Sequence, residues 1–368
     1  GDHPGFAETF LPNGKAPKAG ERFVNKPLAK TLQLIAQTKG EAFYKGTLAD
    51  AICDFALEHG AALNRDDMAA HKVDWCGTLS KKFDDLELHE IPPNGQGIAA
   101  LMALGILSHT RIRDLESDDP LAIHLQVEAI KLALVDAENY VADDKYMTGV
   151  TSEILLDETY LASRAALIDE TCAQDFKAGA PINGGTVYLT AADASGMMVS
   201  FIQSNYAGFG SGIAIPGTGI AMQNRGAGFS LDPASPNVVG PNKRPFHTII
   251  PGFLMGPDGP LMSFGVMGGP MQAQGHVQMV LRTQVWGQDP QMAVDAPRWR
   301  FVEGLKLACE DVMPAETLKY LAQIGHLIEL ELPDNAFGFG GAQLICRLPG
   351  GAYASGSDPR KDGLAAGF

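Results

Sequence analysis

A hydroxyl placed to do covalent chemistry stands at Thr186, directly after the glycine pair of Asn183-Gly184-Gly185-Thr186. Threonine is a weak nucleophile unless a base adjoins it. The simplest such base is its own α-amine, which exists only once the Gly185–Thr186 bond is cut. The candidate cleavage site is therefore Gly185 and Thr186, with glycine at 185 able to adopt the strained geometry that attack on its carbonyl demands. Thr186-Val-Tyr-Leu-Thr-Ala-Ala-Asp193 is rich in strand formers, Asp193-Ala-Ser-Gly196 reads as a turn, and Met197-Met-Val-Ser-Phe-Ile-Gln-Ser204 runs back. With Ala192 facing Met197, the antiparallel register sets Thr186 opposite Gln203, one residue from the hydroxyl of Ser204.

Around this hairpin the chain carries Gly212-Ile-Ala-Ile-Pro-Gly-Thr-Gly-Ile220, Gly240-Pro-Asn-Lys-Arg-Pro245, Gly268-Gly269, Asp295-Ala-Pro-Arg298 and Gly356-Ser-Asp-Pro-Arg360. Upstream lie Phe43-Tyr-Lys-Gly-Thr-Leu-Ala-Asp50 and Ile91-Pro-Pro-Asn-Gly-Gln-Gly97. In order and spacing these segments, which together cover essentially the whole chain, resemble the γ-glutamyltranspeptidase family of N-terminal-nucleophile (Ntn) hydrolases. The resemblance implies self-cleavage at Gly185–Thr186, then turnover through a Thr186 acyl-enzyme on γ-glutamyl or related amides such as glutathione, with water or an amine as acceptor. It implies that the backbone N–H groups of Gly268 and Gly269 hold the oxyanion. It also implies that Ser204 replaces a family threonine that hydrogen-bonds the nucleophile.

Departures from the family pattern fall at the acyl pocket. Tyr206 stands where the family has an asparagine, Gly228 where it has the aspartate for the substrate α-amine, and His247-Thr248 where a serine pair meets the α-carboxylate. A glycine supplies no anion for an ammonium group. Arg225, Arg244 and His247 are then candidates for recognising a different, acidic acyl group, each with an ordinary reading as an ion pair, a brace or a strand residue. Two functional readings stand: an Ntn amidohydrolase or acyltransferase, including an acylase for a non-γ-glutamyl amide, and a silent or unprocessed relative that binds a ligand or partner. The mass of the denatured protein separates them, since only the first is cut at residue 186.

The elements that must hold these residues change character along the chain. Residues 26–36, 47–57 and 120–143 carry apolar side chains at helical spacing, with Gly40 and Gly60 as stops, and 64–71 reads as a short helix capped by Asn64 with acids in its first turn. From Thr186 onward hairpins are expected at 186–204, 247–255 turning at 256–259, and 342–347 turning at 349–351, with helices at 270–285 and 314–325. Helices outside stacked antiparallel sheets make an α+β, four-layer αββα sandwich, which is also the Ntn-hydrolase fold the resemblance implies. The resemblance further sets residues 1–185 as the C-terminal part of a large-subunit-like region and 186–368 as the small-subunit-like region, the two associating after cleavage. A preceding family segment, with strands of the central sheet and an arginine for the α-carboxylate, is absent from this sequence.

Composition narrows the partners. The 368 residues are 45% hydrophobic and carry a net charge of −15, which disfavours nucleic acid, because that partner needs clustered Lys and Arg against its phosphates. No apolar run reaches transmembrane length, and the first residues lack a signal-peptide pattern, so no membrane partner and a cytoplasmic location are expected. Cys53, Cys76, Cys172, Cys309 and Cys346 are widely spaced, without CxxC, and read as reduced thiols. His71, His89, His109 and His124 lack metal-ligand spacing and Gly208-Phe-Gly-Ser-Gly212 lacks a phosphate-binding helix, so no metal and no cofactor is expected. Met197, Met198, Met255, Met262 and Met267 read as core filling.

Overall fold

The structure, a computed structural model, describes residues 3–177, 179, 186–331 and 338–368. Gly185 and the residues 180–184 before it lie outside the described residues. The chain forms two compact units, one of Gly1–Trp75 with Ala207–Asn224 and one of Cys76–Tyr206 with Arg225–Phe368. Packing thus divides the chain at places other than 185/186.

The smaller unit is helical. Lys26–Gln37 and Thr47–Glu58 appear where the apolar spacing predicts them, and Arg65–Ala70 where the Asn64 cap does. Asn64 accepts from the N–H groups of Asp66 and Asp67 while the Asp67 side chain returns to the Asn64 N–H, a capping box that fixes the start of its helix. Gly60 takes φ +70° just past the helix end at Glu58, as a stop requires. Ala49, Ile52, Cys53, Met68 and Ile215 form its core.

In the larger unit a six-stranded antiparallel sheet runs in the order Leu79–Phe83, Leu86–Glu90, Gly252–Gly256, Gly259–Met267, Gly341–Arg347, Tyr353–Ser357. Strand side chains alternate between faces. On one face Val266 and Phe264 meet the helix Met271–Val280, where Gly275 leaves room for Val266 and the His276 ring lies 4.8 Å from that of Phe264. On the other, Ser263 and Gly265 meet the hairpin Thr186–Ser204. Helices, large sheet and hairpin are successive layers of the sandwich. The hairpin turns Val187, Leu189, Val199 and Phe201 outward, 44–57% exposed. Met197 is also exposed, unlike the buried Met198 and Met262, because it lies in the turn and not in the strand.

One element carries no sequence period that reveals it. The helix Gly97–Leu107 is buried at every position, so it has no polar face. It packs with the helix Pro120–Tyr140 in the main core, where all but a few residues of the latter are also buried. A smaller sheet of Trp299–Glu303, Lys306–Glu310 and Leu327–Glu331 completes the unit, its last two strands parallel and joined through the helix Ala315–Gln323. No described helix is long and apolar enough to cross a membrane.

Candidate active site

Thr186 begins the strand Thr186–Ala192 with its side chain on the buried face, as do Tyr188 and then Thr190, while Val187 and Leu189 face out. The return strand pairs Ser204 directly with Thr186 and Met198 with Ala192. This corrects the register expected from sequence, in which Gln203 faced Thr186. The turn is the cause. Asp193 N–H bonds to Met197 O at 3.0 Å, Gly196 N–H bonds to Asp193 O at 3.1 Å, and Gly196 sits at φ +89°, a three-residue loop with a left-handed glycine in place of a two-residue one. The Asp193 carboxylate fixes that loop by accepting from the N–H groups of Ser195 (2.8 Å) and Met197 (3.2 Å). A slip of one residue changes which face a side chain occupies, and here it brings both hydroxyls to the same inward face.

Contacts with the large sheet place Thr186 along it. Thr190 Oγ1 hydrogen-bonds Ser263 Oγ, and the Tyr188 ring covers Gly265, where any Cβ would overlap it. Two residues back along the hairpin match two residues forward along the sheet strand. Extrapolated by the same step, Thr186 falls level with Met267, the residue before Gly268-Gly269.

The glycine pair links that strand to the helix Met271–Val280. Both glycines have positive φ, +129° and +60°, which side chains with a Cβ rarely adopt. Their carbonyls accept from Met271 N–H (3.2 Å) and Gln272 N–H (3.0 Å), and neither of their own N–H groups donates to a described residue. Gln96, 1% exposed, donates through Nε2 to Thr248 O (2.7 Å) and Gly269 O (2.9 Å), tying the pair to the 247–248 segment.

Ser204 Oγ accepts from Arg225 Nη2 at 2.5 Å and from Tyr206 N–H at 3.4 Å. Tyr206 holds φ +81°, a costly region for a bulky residue, and its ring centroid lies 5.7 Å from the Arg225 guanidinium. Tyr206, Arg225, Gly228, Thr248, Gln96 and Pro270 are among the residues that line one cavity of about 590 Å³. Gly228 is glycine for a steric reason: a Cβ there would overlap the Phe246 carbonyl oxygen. Asn237 locks this contact, donating to Gly228 O at 2.7 Å and accepting from Phe246 N–H at 3.0 Å. Glu138 and Asp232 are also among the residues that line the cavity.

His247 stands apart from this lining, its ring against Gly95. Burial, with Arg225 and Arg244 nearby, holds its pKa down at about 4, so it is neutral near pH 7. Arg244 is exposed, with its N–H on Asp143 at 3.0 Å. Sequence reasoning missed Gln96 and Asn237. Gln96 lay inside the quoted Ile91–Gly97 segment without a role, and no local signal marked Asn237.

A second group of ligating side chains lies nearer the start of the helix Pro120–Tyr140. His124, read from sequence as isolated, meets His326 (Nδ1 to Nε2, 2.8 Å), and Glu128 lies 4.0 Å from His326. These donors are already engaged: Lys131 Nζ holds Glu128 Oε1 at 2.7 Å, and His124 Nε2 meets Asp169 O at 2.9 Å. Lys131 is thus the cationic partner that Glu128 already has.

A hydroxyl pair on the inward face of the hairpin, two glycine amides that donate to no described residue and a cavity beside them are the parts of an acyl-transfer site. Over residues 1–368 the sequence matches the family model for gamma-glutamyltranspeptidase. It is 35% identical over 372 residues to a glutathione hydrolase-like YwrD proenzyme of Bacillus subtilis, covering 99% of this chain and 70% of that one. Identity is also 35% over 372 residues to an oxamate amidohydrolase proenzyme of Klebsiella pneumoniae, covering 99% and 69%. A crystal structure of cephalosporin acylase from Bacillus halodurans shares the fold with a TM-score of 0.92 at 44% identity, over 99% of this chain and 66% of its own. The chain spans about two thirds of the length of these relatives. It belongs to the gamma-glutamyltranspeptidase family of Ntn hydrolases, enzymes whose α+β sandwich it shares.

Proposed function

We propose that this chain is a self-processing amidohydrolase or acyltransferase that works through a Thr186 acyl-enzyme on γ-glutamyl or related amides. The observation that carries the reading is the direct pairing of Thr186 with Ser204 on the buried face of the hairpin. In processing, Thr186 Oγ attacks the Gly185 carbonyl and loses its proton, the C–N bond breaks, and the protonated amine leaves an ester. Water then cleaves the ester to a Gly185 carboxylate and a free Thr186, giving regions 1–185 and 186–368.

In turnover the new α-amine, with a reference pKa of about 8, takes the hydroxyl proton as Oγ attacks the substrate carbonyl. The N–H groups of Gly268 and Gly269 stabilise the oxyanion. The leaving amine takes the proton, and water or a second amine releases the acyl group, restoring the hydroxyl. No step requires a metal or cofactor.

An acyl group with its own carboxylate suits the cavity, because Arg225 and Thr248 line it and residue 228 carries no side chain. Oxamate, named for one relative, is the amide of such a dicarboxylic acid. Denaturing mass spectrometry of the full-length protein tests the reading: two fragments are expected, the smaller beginning at Thr186, with one uncut mass for Thr186→Ala. Continued cutting at that bond in purified Thr186→Ala would refute the intramolecular mechanism.

A further inference from the structure

The geometry points to Arg225 as a positioning residue for the nucleophile, acting through the polarity of the Ser204 hydroxyl. This inference rests on the Thr186 reading given above. A hydroxyl offers one proton and two acceptor sites. At Ser204 the acceptor sites face Arg225 Nη2 at 2.5 Å and Tyr206 N–H at 3.4 Å, and Arg225 Nη2 also reaches Ser204 O at 3.5 Å. With its lone pairs so engaged, Ser204 acts as a donor. Its cross-strand neighbour on the same face is Thr186, and directly paired residues have Cβ atoms about 5 Å apart.

The Ser204 proton is therefore given to Thr186 Oγ, and the guanidinium strengthens that donation by polarising the hydroxyl. Two consequences follow. A hydrogen bond into Oγ stabilises the negative charge that develops when the nucleophile loses its proton, and the Thr186 proton is directed away from Ser204. Arg225 is held to the task by the Tyr206 ring, 5.7 Å from its guanidinium, and by a backbone at Tyr206 kept at φ +81°.

Self-cleavage isolates this role, because the attacked carbonyl belongs to the chain and no external acyl carboxylate takes part. The experiment measures the self-cleavage rate of newly made full-length protein for the wild type, Arg225→Met, Arg225→Lys, Ser204→Ala and the Ser204→Ala/Arg225→Met pair. Arg225→Met is expected to slow cleavage about ten- to a hundredfold, and Arg225→Lys, which keeps a charged donor, to recover part of that. In the Ser204→Ala background Arg225→Met should add less than about twofold, since its route to Thr186 is gone. An undiminished effect in that background, or cleavage at the wild-type rate with only KM raised in turnover, overturns the inference. A wild type that never cuts at residue 186 overturns the Thr186 reading itself. Should Arg225→Met lose its cooperative melting transition, the cycle of Arg225→Lys with Ser204→Ala replaces it: coupling above about threefold supports the role, and additivity refutes it.

Discussion

At the scale of single residues, Thr186 has its hydroxyl neighbour because of Gly196, ten residues away. Had the turn held two residues, Gln203 would face Thr186 and Ser204 would lie on the opposite side of the ribbon. Gly228 is governed by sterics in the same way. Since a Cβ at 228 overlaps the Phe246 carbonyl, Gly228→Asp is expected to destabilise the protein by about 1–3 kcal/mol through overpacking. It should lower turnover of every acyl donor without creating an ammonium site. Melting curves and kcat/KM for glutathione check this; a gain on glutathione at unchanged Tm would mean the backbone yields. On the proposed function, the same glycine also bears on substrate choice. Loss of a charge-assisted hydrogen bond to the α-amine costs on the order of ten- to a hundredfold in specificity, so a dicarboxylic monoamide should be cleaved with higher kcat/KM than glutathione. Efficient and exclusive glutathione turnover would show that other groups, such as Glu138 and Asp232 at the cavity, hold the ammonium.

At the scale of elements, two quoted segments far apart in the chain prove to be one buried ion network. Arg298, from Asp295-Ala-Pro-Arg298, meets Asp358 at 2.5 Å, and Arg360 bonds both Asp358 (3.1 Å) and Glu310 (2.5 Å). Asp358 also accepts from Ala342 N–H at 2.8 Å, and Arg298 donates to Phe339 O at 2.9 Å. The network thereby pins the entry to the strand Gly341–Arg347. Gly340, at that entry, lies against Gly268, so these charges support the glycine pair from behind. Burial alone would raise the Asp358 carboxyl, but Arg298 and Arg360 together hold it below its ordinary value. Asp358→Asn leaves two arginines without their shared anion and should cost about 3–5 kcal/mol, read as a fall in the denaturation midpoint at pH 7. Because its folded pKa is depressed, the stability Asp358 supplies is present above the unfolded value of about 3.9 and is lost as pH falls through the folded one. Wild type and variant should therefore converge below about pH 4, and a constant difference down to pH 2 would rule this account out.

At the scale of the molecule, buried histidines shape the response to acid. His326 is held at about 3 by burial, with Lys131 and His124 adding to it, and His247 at about 4. Unfolded histidines titrate near 6.5, so below that pH the unfolded chain binds protons the folded one refuses, and stability falls as pH drops towards the folded values. Glu128 and Asp136 work in the opposite direction, since burial lifts their carboxyls. Replacing one histidine isolates its share. The Tm of the wild type is expected to drop more between pH 7 and pH 4.5 than that of His326→Asn; equal drops would mean that His326 is protonated in the fold. The charge of −15 leaves the molecule self-repelling near neutrality, which favours solubility.

Much of this protein was readable before folding. Thr186 after two glycines, the hairpin around Asp193–Gly196, the helices Lys26–Gln37, Thr47–Glu58 and Pro120–Tyr140, and the α+β class are set by local spacing, caps and turn residues, which act within a few residues of chain. The helix Gly97–Leu107 was not, because an element buried on all sides has no periodic polar face. The pairing of Thr186 with Ser204 turned on one residue in a loop, a difference smaller than strand propensity can resolve. Gln96 between Thr248 and Gly269, Asn237 under Gly228, Arg225 on Ser204, and the joining of Arg298 to Asp358 were decided by tertiary structure alone. Each is a hydrogen bond or charge contact between residues 9 to 173 positions apart, and no local property of either partner encodes the other's place.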